Sequence, residues 1–299
     1  MTYSIVARDP VTGQMGVAVQ SHYFSVGPVV PWLEAGVGAV ATQSIVEPAY
    51  GPRGLDLMRS GISAPDALRA LLTADPGAAQ RQVAMIDAAG NVAAHTGDRC
   101  IAHAGNVAGD GVSVQANMME RDTVPAAMLR AYDAASGDLA GRMLAALDAA
   151  EAEGGDLRGR QSAAIVVVES AGTHRSWRDR PVDLRVEDHP EPLAELRRLL
   201  TLRRAYDAQS RGEELLTAGK FDEAMPHIRA ARELAPDNVE IAFWLGLSLA
   251  RTQPDEARAL IAQAVRADPR WAELLRRLPA AGLFSRDPAL LEFLLAPGG

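Results

Sequence analysis

The 299-residue chain is 48% apolar and has 30 basic against 38 acidic side chains, a net charge of −8. This size and apolar content suit one large or two smaller globular domains, whereas the acidic balance argues against nucleic-acid binding, which needs a basic face. No apolar run approaches the roughly 18 residues of a membrane span, and the N-terminus lacks the features of a signal peptide. The single cysteine, Cys100, leaves no disulfide framework. We therefore expect a cytoplasmic protein.

The chain opens with a strand-forming sequence. Residues 2–6 favour a strand, a turn falls at residues 9–13, and residues 16–20 form the returning strand. Alternation places Thr2 and Ser4 on one face. If the initiator Met1 is removed, as is common before a small residue, Thr2 carries a hydroxyl nucleophile and a free α-amine whose pKa of about 8 lets it act as the base. The alternative is that Thr2 is an ordinary edge-strand residue.

Strands and helices then follow in groups. The pattern predicts a strand at 36–44, helices opened by Gly51-Pro52 and by Ser63, a hairpin of 81–87 with 92–96, and short strands near Ile101 and at 112–117. Helices at about 123–136 and 138–152 precede a strand at 162–168, apolar on both faces, and an edge strand at 182–187. A doubly wound parallel sheet needs strict alternation of strand and helix. This order favours two stacked antiparallel sheets, each covered by a pair of helices.

The composition changes near residue 190, where two prolines at 188–192 interrupt regular structure. We therefore predict domains at 1–190 and 191–299. In the second, over about 200–272, small residues and a proline recur with a period near 34, the pattern of tetratricopeptide helix pairs. They are Gly212, Gly219, Ala224, Ala231 and Pro236 in one unit, and Gly246, Ala257, Ala264 and Pro269 in the next. We expect these repeats to bind a peptide or protein partner, to dock on the first domain or to form a homo-oligomer; the alternative is a helical bundle without a partner.

Six ordered motifs span most of the first domain: TYSIVARD (2–9), GVAV (16–19), GVGAVATQ (36–43), YGPRGL (50–55), QANM (115–118) and GDLRGRQSA (155–163). Together they resemble the bacterial family called domain of unknown function 1028, which is grouped with the N-terminal-nucleophile hydrolases. The resemblance implies the four-layer αββα sandwich of those enzymes, followed here by the small helical domain. The α+β class that it implies agrees with the strand and helix order.

In N-terminal-nucleophile hydrolases, a terminal Thr, Ser or Cys attacks an amide carbonyl and its own α-amine is the base. The resemblance thus implies that Thr2 is the nucleophile of a hydrolase that cleaves a small linear or cyclic amide without a cofactor. The proteasome-like branch also uses a Lys on the third strand and an Asp on the second. Here the only lysine is Lys220, and Gln20 and Ser21 stand where the Asp would be. A proteasome-type site is therefore excluded.

Polar residues near strand ends are the other candidates for the site. Asn117 is the predicted oxyanion donor, unless it is a strand-end amide that satisfies backbone groups. Arg160 is predicted to clamp a substrate carboxylate, unless it forms a structural salt bridge. A cation is mildly unfavourable at a helix start, which indicates a binding role for Arg53. The predicted substrate-binding residues, besides Arg160, are Ser21, Gln43, Arg53 and Gln115.

A second cluster, of His95, Asp98, Cys100 and His103, offers a thiol nucleophile or metal ligands. Its spacing matches no zinc pattern, and a lone thiol is usually a small core residue, so we predict no metal and no other cofactor. Three hypotheses remain: a Thr2 amide hydrolase, a non-catalytic binding or scaffold protein that recruits partners through its repeats, and a hydrolase dependent on Cys100 or a metal.

Overall fold

A computed structural model of the chain describes residues 2–173 and 175–296. Contacts divide the chain into two units, Met1–Leu200 and Thr201–Gly299. Every described strand belongs to the first unit, and the described part of the second is built from helices. This confirms the predicted change from mixed sheet and helix to helix alone. Within the described residues, no helix combines the length and the apolarity needed to cross a membrane.

The strands form two antiparallel sheets. In chain order they are β1 (Thr2–Arg8), β2 (Met15–Ser21), β3 (Pro31–Glu34), β4 (Gly38–Ser44), β5 (Arg81–Asp87), β6 (Val92–Thr96), β7 (Gly105–Gly109), β8 (Val112–Asn117), β9 (Ser162–Val168) and β10 (Val182–Val186). One sheet has the order β10-β9-β2-β1-β8-β7, and the other has the order β3-β4-β5-β6. Because β1 lies between β2 and β8, Thr2 belongs to an inner strand and not to an edge.

Helices α1 (Tyr50–Arg59) and α2 (Ala64–Ala74) contact the four-stranded sheet, and α3 (Val124–Ala134) and α4 (Leu139–Ala152) contact the six-stranded sheet. Each sheet shares a buried apolar cluster with its helices. A further cluster contains residues of both sheets, such as Val17 and Ile86. Alternation along β1 sends Tyr3 toward α3 and α4, and it sends Thr2 and Ser4 toward the other sheet.

Two strands differ from the sequence-based expectation. Strand β3 was not predicted, because it has only four residues and begins with a proline, which is tolerated at the start of an edge strand. The strand expected near Ile101 lies instead at β7, Gly105–Gly109. The glycines at both ends of β7 give it little intrinsic strand preference, so its position is set by pairing with β8.

The division between the units falls inside α6 (Pro192–Thr217), which begins at the predicted proline join. Its residues Leu193, Leu196 and Leu200 belong to the core of the first unit. Two further segments of that unit are a 3-10 turn, Ala78–Gln80, and α5, Ser176–Asp179.

The second unit consists of the rest of α6 followed by a series of short helices. These are α7 (Phe221–Leu234), α8 (Val239–Leu249), α9 (Pro254–Ala267), α10 (Arg270–Arg277) and α11 (Pro288–Leu295). The alanines of the predicted repeat, at 224, 231, 257 and 264, are all fully buried. Phe243 is fully buried among them, and Trp271 lies against its ring at 4.9 Å between centroids.

Gly212 allows α6 and α7 to approach closely, as the repeat pattern predicts. A Cβ at this position would lie 2.3 Å from Cγ1 of Ile228. We expect Gly212→Ala to lower the free energy of unfolding of this unit by about 2 kcal/mol, because overpacking outweighs the roughly 1 kcal/mol gain in helix propensity. Thermal unfolding monitored by circular dichroism would measure this loss of stability. Gly246→Ala is the comparison and should have a smaller effect, since its Cβ would lie 3.0 Å from Ile261. A Gly212→Ala protein that is more stable than the unchanged protein would contradict the prediction.

Candidate functional site

Thr2 is the first residue of an inner strand and is only 6% exposed. Its side-chain hydroxyl lies 3.0 Å from the hydroxyl of Ser21, the last residue of the adjacent strand β2. On the other side, Asn117 at the end of β8 is its register partner. The structure thus brings Thr2, Ser21 and Asn117 together at one end of the six-stranded sheet. The preceding residue, Met1, lies outside the described residues.

The backbone carbonyl of Thr2 is held from both sheets. Nε2 of Gln43 on β4 and Nδ2 of Asn117 on β8 both lie 3.3 Å from the carbonyl oxygen. Each donor is a neutral amide that is at most 1% exposed. These contacts fix the backbone at Thr2, where a chain end would otherwise fray.

Gln43 and Asn117 belong to a buried amide network, which we define as Ser4, Gln43, Gln82, Gln115 and Asn117. Oε1 of Gln82, on β5, accepts from Nε2 of Gln43 at 2.7 Å and from Nδ2 of Asn117 at 2.9 Å. Ser4 donates to Oε1 of Gln43 at 2.7 Å and accepts from Nε2 of Gln115 at 2.6 Å. The network therefore connects the two sheets beneath Thr2.

All members of the amide network are uncharged, and none titrates near neutral pH. They can orient groups and donate hydrogen bonds, but they cannot act as a general base. The amide network therefore offers no general base to the Thr2 hydroxyl.

The opposite face of β1 carries a charged cluster. The Tyr3 hydroxyl donates to Glu151 on α4, and burial, together with that carboxylate, holds the pKa of Tyr3 well above its ordinary value. Nε of Arg160 lies 3.0 Å from Glu151, and the same guanidinium contacts Glu191. Arg160 is thus paired with two carboxylates, and the structure does not place it in the amide network.

Arg53 also lies apart from the amide network. It is exposed on α1 and, with Tyr50 and Asp75, lines a separate 200 Å³ cavity. A hydrogen bond from Arg81 is the main cause that lowers the pKa of Asp75, and burial with the Asp75 carboxylate raises that of Tyr50. This cavity is held together by its own ion pair, Arg81 with Asp75 at 2.9 Å.

The cluster around Cys100 is bound to backbone groups. The Cys100 thiol donates to the carbonyl of Arg81 at 3.3 Å, and Nε2 of His95 lies 2.8 Å from the carbonyl of Ala78. Across the residues that the structure describes, no group of three or more His, Cys, Asp or Glu side chains is arranged to hold a metal ion. Cys100 and His95 are thus bonded to the backbone of residues 78–81.

Asp156 holds together the loops at this end of the six-stranded sheet, although the sequence did not single it out. Its fully buried carboxylate accepts from the backbone N–H of His22 at 3.1 Å and from that of Arg158 at 2.9 Å. It also forms a bridge with Met119. Asp156 therefore joins the segments that follow β2 and β8 to its own loop. The motif GDLRGRQSA gave no signal of this burial, because an acidic residue in a glycine- and arginine-rich stretch usually lies in an exposed turn.

Backbone strain marks the same end of the first unit. Of the residues that the structure describes, three that are not glycine have left-handed backbone angles: Ser25 (φ 56°), Ser44 (φ 73°) and Met118 (φ 61°). Ser44 and Met118 directly follow Gln43 and Asn117, and Ser25 lies in the loop after Ser21. Such conformations are costly and concentrate at functional sites. Their position favours the Thr2 end of the sheets as the candidate site.

Comparison with known proteins places the first unit in a family. The model of a family of unknown function, DUF1028, matches residues 2–196, and the tetratricopeptide-repeat model matches residues 215–278. No curated protein sequence matches the chain.

A solved structure agrees with the family match. The crystal structure of a DUF1028 protein from Silicibacter pomeroyi is 32% identical in sequence and superposes with a TM-score of 0.59, covering 67% of this chain and 87% of the bacterial one. The predicted resemblance and the predicted repeats are thereby confirmed. The chain belongs to the DUF1028 family through its first unit, and it carries a tetratricopeptide repeat in its second.

Proposed function

We propose that the first unit is an amide hydrolase of the N-terminal-nucleophile type, with the four-layer αββα sandwich of that class. The observation that carries the proposal is the position of Thr2. It begins an inner strand, its hydroxyl contacts Ser21, and its carbonyl is held by Gln43 and Asn117. The two sheets with a helix pair against each support the sandwich assignment.

In this proposal, removal of Met1 gives Thr2 a free α-amine. The amine takes the proton of the Thr2 hydroxyl as the oxygen attacks the amide carbonyl, and it returns that proton to the leaving nitrogen when the C–N bond breaks. Water then hydrolyses the ester on Thr2 and regenerates the hydroxyl. Ser21 orients the Thr2 hydroxyl, because their oxygens are 3.0 Å apart.

Asn117 keeps its proposed role as a donor to the developing oxyanion. Its side-chain amide donates to the Thr2 carbonyl at 3.3 Å and to Oε1 of Gln82 at 2.9 Å. The longer and weaker of these contacts is the one that a substrate oxygen would replace. Gln43 and Gln115 support this arrangement from beneath. Arg160 would bind an acidic substrate only by exchanging Glu191 for the substrate carboxylate, and we assign no contact with substrate to Arg53.

The experiment that tests this proposal is intact mass spectrometry of the purified protein without an N-terminal tag. We expect the main species to lack one methionine residue, because the amine mechanism needs Thr2 at the terminus. A protein that retains Met1 throughout would exclude Thr2 as its own base.

The alternative function is a binding or scaffold protein that recruits partners through the repeats of the second unit. The tetratricopeptide match over residues 215–278 favours it. The two functions are separable, because the first requires a processed Thr2 and the second does not. Self-association through the repeats belongs to this alternative and would be tested by light scattering of the full chain and of a chain ending at residue 200.

A further inference from the structure

Exposed apolar side chains lie in the loops around the end of the sheets where Thr2 begins. Each of them is more than half exposed, although each is a large side chain that water solvates poorly. We call this set the apolar rim, and it consists of Tyr23, Phe24, Ile45, Ile101 and Leu157. A single exposed apolar residue is ordinary on a protein surface, whereas a group of them around one site indicates a place where a ligand or a partner binds.

Two members of the apolar rim are bonded to the end of β8. The backbone N–H of Met118, the residue after Asn117, donates to the carbonyl of Ile101 at 2.9 Å. The carbonyl of Met118 accepts from the backbone N–H of Leu157 at 3.4 Å. Ile101 and Leu157 therefore flank the residue that follows the proposed oxyanion donor.

The other members of the apolar rim follow the ends of β2 and β4. Tyr23 and Phe24 come shortly after Ser21, whose hydroxyl contacts that of the proposed nucleophile. Ile45 comes shortly after Gln43, whose side-chain amide donates to the carbonyl of the same nucleophile. The apolar rim thus takes its members from loops at three strand ends that meet at the candidate site.

Arginines beside these loops are already paired with carboxylates of the chain. Arg158 forms an ion pair with Asp156 at 3.3 Å, and Arg81 forms one with Asp75 at 2.9 Å. Arg160 pairs with two glutamates. Neither these three arginines nor the uncharged amide network offers an unpaired charge to a substrate, so the polar part of the site suits a neutral amide.

The acyl part of the substrate is the part that the surface around Thr2 would hold. In the proposed mechanism the amine leaves when the C–N bond breaks, but the acyl group stays bonded to the nucleophile until water releases it. Apolar contacts with the acyl group therefore act in both steps. Each methylene group that they remove from water raises the affinity by about fourfold.

We propose that the apolar rim selects amides whose acyl part is an uncharged hydrocarbon chain. This inference rests on the proposed function and names the substrate class of the same site. The amide carbonyl lies at Thr2, and the chain contacts the two most exposed members of the rim, Phe24 (64% exposed) and Leu157 (65% exposed). A carboxylate at the far end of the chain would lose water without gaining a cation, so such a substrate is rejected.

Binding and turnover, measured separately on the full chain, test this proposal. The compounds are the acetyl, butanoyl and hexanoyl amides of ethanolamine, together with the adipoyl amide, which has the hexanoyl length and ends in a carboxylate. Calorimetric titration of the Thr2→Ala protein gives affinities without hydrolysis, and release of ethanolamine by the unchanged protein gives kcat/KM. We expect both quantities to rise by at least about tenfold from acetyl to hexanoyl, and the adipoyl amide to be no better than the acetyl amide.

Variants assign the selectivity to the apolar rim. Phe24→Ser and Leu157→Ser should each lower the ratio of hexanoyl to acetyl affinity by about fivefold, because less apolar surface covers the chain. Val11→Ser is the matched control. Val11 is also an exposed apolar residue, but it lies in the turn between β1 and β2, at the other end of these strands.

The failure of this inference and the failure of the hydrolase proposal give different results. Hydrolysis with equal kcat/KM for all chain lengths, or rim variants that behave as Val11→Ser does, would overturn the inference while the hydrolase proposal stands. Affinity that rises with chain length without any hydrolysis would contradict the hydrolase proposal and support an apolar acyl-binding site. A dimer in light scattering that Phe24→Ser and Leu157→Ser convert to a monomer, with no dependence on chain length, would overturn the inference and show that a second copy covers the apolar rim.

Discussion

Thr2→Ala should lower the rate of amide hydrolysis by at least about a thousandfold, because it removes the proposed nucleophile. Met1 is commonly removed before alanine as it is before threonine, because both residues are small. The variant therefore keeps the free α-amine and loses only the hydroxyl and a methyl group. The measurement is the initial rate of release of amine from a panel of small linear and cyclic amides, with the unmodified protein beside it.

Two further variants make the Thr2 result specific. Thr2→Ser keeps a hydroxyl and a free amine and should retain activity within about tenfold, whereas Ser21→Ala should reduce it by about tenfold through lost orientation. Both sites are buried, so circular dichroism must show that each variant is folded. Undiminished activity of folded Thr2→Ala would refute the catalytic proposal and favour the binding alternative.

Gln82→Met should lower the free energy of unfolding by about 3 kcal/mol, because several buried polar groups would lose their partner at once. Oε1 of Gln82 accepts from Gln43 and Asn117, and its Nε2 lies 2.9 Å from the carbonyl of Ala116 and 2.9 Å from the hydroxyl of Thr96. Methionine has a similar length and volume, so the change removes hydrogen bonds without opening a large cavity.

Differential scanning calorimetry measures the effect of Gln82→Met. A loss of that size should lower the melting temperature of the first unit by roughly 6–12 °C for a unit of about 200 residues. Gln80→Met is the control, because Gln80 is exposed two residues earlier and has no side-chain hydrogen bond. Equal melting temperatures for the two variants would show that the amide network adds no net stability.

The sequence predicted most strands and helices because their patterns are strong. The hairpin of 81–87 with 92–96 and the strand at 162–168 agree residue for residue with β5, β6 and β9. Strand β7 could not be placed, since its position depends on a neighbour and not on its own residues. The same dependence on tertiary context explains β3, which is short and lies at a sheet edge.

The candidate site could be predicted only in part, because some of its residues lie in recognisable motifs and others depend on tertiary contacts. Gln43, Gln115 and Asn117 lie in motifs that carry the family resemblance, so the sequence named them as candidates. Gln82 follows Arg81 at the start of a strand, where polar residues are common, so nothing distinguished it. The sequence left open whether Arg160 binds a substrate or forms a salt bridge, because its partner Glu151 lies on another element and only the fold brings the two together.

The inner position of β1 in the sheet means that its two neighbouring strands are synthesised at different times. One neighbour, β2, leaves the ribosome early, but the other, β8, ends at Asn117. At bacterial rates of translation, synthesis from Thr2 to Asn117 takes on the order of ten seconds. During that time the chain end is uncovered, and afterwards Thr2 is enclosed between two strands. Removal of the residue before Thr2, which the proposed mechanism requires, is therefore expected to take place on the nascent chain, before β8 pairs with β1.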